Sequence, residues 1–128
     1  MDATILVAHG DPLQRMLDRD MFMAAGYRVF EAQNAEQAIA VLQVHDEIAV
    51  LFMHMNIKEA PNGPCLAYHV TKHWPKVTII AVSGQPRSDK IPDSAHFHAK
   101  PYDPAVVLRQ VKHAAANRTA GTTPTFAA

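Results

Sequence analysis

The chain has 128 residues, 48% of them hydrophobic, with 12 basic and 12 acidic side chains in balance. That length supports one domain with a real core, and zero formal net charge argues against a nucleic-acid module that works by bulk electrostatics. A single cysteine, Cys65, excludes an internal disulfide and suits a reducing compartment. No apolar run approaches the ~20 residues of a membrane helix. The N-terminus enters a strand pattern directly, with no basic segment and cleavage site. The expectation is a cytoplasmic, single-domain protein.

Thr4 to Ala8 (TILVA) reads as a first strand. HGDP follows, a turn cluster in which Asp11 can cap a helix and Pro12 suits its first turn. Leu13, Met16, Leu17, Met21 and Ala24 recur at helical spacing, and Gly26 stops that helix. Arg28 to Ala32 is a second strand. Asn34 caps a second helix with Ala38, Ile39 and Leu42 as its apolar stripe. Ile48 to Met53 is continuously apolar, as a parallel strand covered on both faces must be.

After the polar loop NIKEAPNG, Asn62 can cap a third helix reaching Trp74, which Pro75 ends. Val77 to Val82 is a fourth strand. Residues 83 to 94 are rich in Pro, Ser, Asp and Gly and show little helical pattern, so a fourth helix here is expected to be short or absent. Ala95 to Ala99 is a fifth strand. Pro104 opens a last helix with Val107, Leu108 and Val111 inward. The domain is expected to span residues 1–117, with 118–128 a disordered tail lacking periodicity.

Strands alternating with helices imply a parallel sheet with right-handed crossovers. Ligands of such sheets bind outside the carboxyl ends of the strands, where strand order switches. His9, His54, Ser83 and Lys100 fall at or just past strand ends, so the fold is expected to gather them at one site.

In this arrangement the chain resembles a bacterial two-component response-regulator receiver domain. The stretches ILVAHGDPLQR, GYRVFEAQNAEQAIAVL, VLFMHMNIKEAPNG and VSG with FHAKPY carry the resemblance over residues 4 to 116. It implies a flavodoxin-like, doubly wound five-stranded sheet of order 2-1-3-4-5 and a place in a phosphorelay. It also implies a pair of acids ending the first strand and an aspartate phosphoacceptor ending the third. Those positions here hold His9 and Gly10, and His54. The Ser at the end of the fourth strand (Ser83), the aromatic (Phe97) and the Lys-Pro (Lys100-Pro101) match the family's switch and site positions.

Mg²⁺ binds through oxygen ligands in near-octahedral geometry, so two imidazoles and a glycine are expected to abolish its site. Asp11 remains as a nearby carboxylate but is expected at the helix cap. An acyl phosphate needs a carboxylate nucleophile and a metal to offset the incoming charge. The favoured reading of His54 is an imidazole filling the vacated pocket and hydrogen-bonding Lys100, Ser83 or backbone. Lesser readings are a metal ligand with His9 and Asp11, or a phosphohistidine acceptor.

Cys65, His69 and His73 share one face of the third helix. A metal-binding face is one reading and a solvent-exposed or partly packed face the preferred one. His96 and His98 share a face of the fifth strand opposite Phe97, with at least one hydrogen-bonded toward the core. His45 and His113 are expected on the surface. The functional expectation is a stand-alone, non-enzymatic module that binds a histidine kinase or another signalling protein, with no cofactor, nucleic acid or membrane. The alternatives are a relay receiver using an unconventional acceptor such as His54 or Asp11, and a metal- or pH-sensing module built on His9 and His54.

Overall fold

The computed structural model describes residues 3–55, 63–84 and 91–122. Strands β1 (Thr4–Ala8), β2 (Arg28–Ala32), β3 (Ile48–His54), β4 (Thr78–Ser83) and β5 (His96–Ala99) form one sheet. All its pairings are parallel and its order is 2-1-3-4-5. Helices α1 (Pro12–Ala24), α2 (Ala35–Val44), α3 (Gly63–His73) and α4 (Pro104–Thr122) complete the flavodoxin-like fold expected from the sequence.

Side-chain alternation along the strands divides the core into two layers. Ile5, Val7, Val50 and Phe52 pack with Phe22 of α1 and with Val107 and Val111 of α4. Leu6, Leu51 and Met53 pack with Ala38 and Leu42 of α2 and with Leu66 and Val70 of α3. The same parity carries past the strand ends. His9 lies two residues beyond Val7 and His54 two beyond Phe52, so both imidazoles belong to the α1 side of the sheet.

The termini of the first two helices follow their sequence signals. The Asp11 side chain accepts from the Leu13 amide at 3.0 Å, with Pro12 in the first turn. Asn34 accepts from the Gln37 amide at 2.8 Å. After α1, Gly26 turns the chain at a φ of 96°, a conformation that costs residues with a Cβ.

In α1 the apolar spacing read from the sequence does not mark the buried side. Leu13, Met16, Leu17 and Met23 face solvent, and the residues it buries are Asp18 and Phe22. A charged side chain goes inside because a buried hydrogen-bonding partner awaits it, as described below. Leu13 and Leu17 are 61% and 53% exposed, so the apolar spacing read from the sequence lies outward.

Between Ser83 and His96 the described residues contain no helix. Residues 85–90, on which most of that expectation falls, lie outside the described residues, as does Asn62, the expected cap of α3. The last helix continues to Thr122, past the end expected at Asn117 and into the stretch read as a disordered tail. Residues 123–128 lie outside the described residues. Among the described residues no helix is long and apolar enough to cross a membrane.

Candidate functional site

The carboxyl ends of β1 and β3 bring His9 and His54 together, with ring centroids 3.9 Å apart. Both are buried: His9 is 4% and His54 1% exposed. A cleft of about 380 Å³ opens beside them, lined by Gln14, His54, Lys100, Pro101 and Tyr102. Ser83 ends β4, and its carbonyl accepts from the Lys100 backbone amide at 2.8 Å, tying the β5 exit to the same corner. Lys100 itself is exposed and precedes a cis peptide bond to Pro101.

The partner of His54 is Asp18, not Lys100, Ser83 or backbone. His54 Nε2 lies 2.8 Å from Asp18 Oδ2, and both side chains are 1% exposed. Asp18 Oδ1 also accepts from the Tyr102 hydroxyl at 2.8 Å and from Gln14 Nε2 at 3.1 Å. An ionised carboxylate can only accept, so Nε2 of His54 is the donor. One carboxylate thereby joins α1, the tip of β3 and the segment leading into α4. The remaining nitrogen, His54 Nδ1, is buried and has no hydrogen-bond partner among the described residues.

Two neighbours are shifted by this burial. Desolvation, aided by the electrostatic influence of His54 and Lys100, lowers the His9 pKa to about 4 against the opposing pull of Asp18 and Asp11. His9 is therefore uncharged near neutrality, and its Nδ1 accepts the Asp11 amide at 2.8 Å. Its proton then sits on Nε2, so the ring as arranged offers an ion no lone pair. Burial first, and the Asp18 hydrogen bond and charge after it, push the Tyr102 phenol well above its ordinary range. Tyr102 stays a donor.

Asp18 and Tyr102 were not singled out from sequence. Asp18 precedes the buried Phe22 by four residues and so shares its helical face. That spacing was the available signal, masked by the many apolar residues around it. Tyr102 lies in the FHAKPY stretch, two residues past Lys100. Phe97, expected as the switch aromatic, is half-buried on β5 beside Ala81 of β4. His98 meets Gln110 of α4 at 2.7 Å, which satisfies the expectation of one hydrogen-bonded histidine there. His45 is less exposed than expected. It stacks on Phe30 at 4.1 Å and faces Glu47.

Comparison with solved structures finds the same architecture repeatedly. The signal receiver domain of an HD domain-containing protein from Pseudomonas fluorescens Pf-5 superposes with a TM-score of 0.83 at 18% identity, over 94% of this chain and 99% of that one. A response regulator receiver domain protein from Clostridium thermocellum gives 0.83 at 16% identity, over 91% and 97%. The chain has the receiver-domain fold. NtrX from Brucella abortus gives 0.83 at 19% identity and covers all of this chain, which spans 30% of that one. No protein-family model and no curated protein sequence matches the chain.

The residues at the strand tips of this receiver fold do not fit Mg²⁺. The positions that the resemblance assigns to carboxylates hold His9, Gly10 and His54. Among the described residues the two nearby carboxylates are otherwise engaged: Asp11 caps α1, and Asp18 accepts from Gln14, His54 and Tyr102. A hard cation needs several oxygen ligands in a fixed geometry, and this donor set does not provide them. Among the described residues no group of three or more His, Cys, Asp or Glu side chains stands ready for any metal.

Proposed function

We propose that this chain is a receiver-type signalling module that works by protein–protein interaction, in a reducing, cytoplasmic setting, and takes no phosphate at the tip of β3. Its partner is a histidine kinase or another protein of a two-component system, and it is neither an enzyme nor dependent on Mg²⁺. One observation carries the reading: the residue at the β3 tip, His54, is committed to a buried hydrogen bond with Asp18. The pair fills with protein groups the place where a carboxylate and its ion would act. An interaction role is further supported by the apolar residues that α1 turns to solvent, Leu13, Met16, Leu17 and Met23.

The test is incubation with acetyl phosphate, or with a phosphorylated kinase, in the presence of Mg²⁺. The expected result is no acid-stable, base-labile label. Stoichiometric label of that kind would overturn the proposal, because it is the signature of an aspartyl phosphate. The second reading, an unconventional relay acceptor, draws on Nδ1 of His54, which has no partner among the described residues. It requires acid-labile label that disappears in His54→Ala.

A further inference from the structure

A pair of imidazoles stands apart from the strand-tip site. His69 and His73 lie four residues apart on α3, one turn above another. Their ring centroids are 4.3 Å apart at an interplanar angle of 41°. His73 is exposed and His69 half-buried, so solvent reaches the pair. The opposite face of α3 is fixed, because Leu66, Ala67 and Val70 are buried in the core. The last turn is held as well. The Trp74 amide donates to the Val70 carbonyl at 2.7 Å, and the Thr71 hydroxyl donates to the Ala67 carbonyl at 2.9 Å.

We propose that His69 and His73 form a two-imidazole site for a borderline divalent transition-metal ion, with Cu²⁺ bound most tightly. Imidazole nitrogen is a preferred ligand of Cu, Ni and Zn, and among divalent ions Cu²⁺ heads the affinity order. Metal–nitrogen bonds of ~2.0–2.1 Å place two ligating nitrogens about 3 Å apart, which rings this close reach by small χ adjustments. The site lies on the C-terminal turn of α3, whose unsatisfied carbonyls carry negative partial charge and favour a cation. Two protein ligands leave the other coordination positions to water, so the ion is exchangeable. A rigid helix presents both rings, so the second imidazole binds as an intramolecular ligand.

The chain carries its own reporter. Trp74 is the only tryptophan, and its ring lies 5.8 Å from that of His69 and 6.1 Å from that of His73. Titration of the full chain with Cu²⁺ is expected to quench tryptophan emission saturably, at one ion per chain, with recovery on adding EDTA. His69→Gln and His73→Gln are each expected to weaken the midpoint by about a hundredfold, the low end of what an intramolecular second ligand adds. His113→Gln, at an exposed histidine on α4, is expected to leave it unchanged. Glutamine is a good helix former, and circular dichroism verifies that each variant is folded. Non-saturable quenching, or an unchanged midpoint in the folded His69→Gln/His73→Gln double variant, would overturn the proposal.

Discussion

Asp18→Ala removes the hub of the hydrogen bonds at the β3 tip. The substitution removes the acceptor of His54 Nε2, the Tyr102 hydroxyl and Gln14 Nε2. Each polar group left in the interior without its partner costs about 1–3 kcal/mol, so a loss of about 3–5 kcal/mol is expected over the groups involved. The partly exposed Gln14 recovers its bond from water, so most of the loss falls on His54 and Tyr102. Urea denaturation followed by circular dichroism is the assay. With a slope of about 1–3 kcal/mol per molar urea, the midpoint is expected to fall by about 2 M. Replacing both partners by apolar residues, Asp18→Leu with His54→Met, is expected to recover most of that loss, since buried pairs exchange for hydrophobes near break-even. A cost below about 1 kcal/mol for Asp18→Ala, with no change in slope, would refute the assigned hydrogen bonds. So would a double replacement as damaging as the single one.

Three further outcomes follow from the same corner. His9 has its pKa lowered to about 4 in the folded chain, so the unfolded chain binds the extra proton first on acidification. Stability is therefore fully present above pH 6.5 and declines as pH falls through the window down to about 4, by about 3 kcal/mol in all; His9→Asn, whose Oδ1 can accept the Asp11 amide, should flatten that part of the pH profile in urea titrations. Tyr102→Phe removes one hydrogen bond to a buried carboxylate and should cost about 1.5–3 kcal/mol by the same assay. Introducing acids by His9→Glu, Gly10→Asp and His54→Asp should create Mg²⁺-dependent stabilisation that is not expected of the unsubstituted chain. Among the described residues a Cβ at Gly10 meets only the Gln33 carbonyl, at an ordinary 3.8 Å. A triple variant that folds and has a Tm indifferent to millimolar Mg²⁺ would show that these positions do not form an ion site.

The architecture was legible in the sequence because its signals are local. The runs TILVA and IAVLFM are apolar on both faces and need helices above and below them. Asp11, Asn34 and Gly26 then mark where the first two helices begin or end. The facing of α1 was not legible. Leu13, Met16, Leu17, Met21, Phe22 and Met23 point in nearly every direction around a helix, so apolar spacing cannot choose a buried side. The choice is made by a distant group: His54 requires a polar partner, and Asp18 is the α1 side chain that meets it. The tips of the strands were foreseeable from topology, whereas the hydrogen bonds among them depend on which helix face is turned inward.

The seclusion of the Asp18–His54 contact has a bearing on conditions. Ionic screening acts over about 8 Å of electrolyte at physiological strength and reaches interior pairs only weakly. Since both groups are 1% exposed, osmotic upshift or changing cation levels in the surroundings should leave this joint unaltered. The three segments meeting there are expected to keep one setting across fluctuating ionic environments.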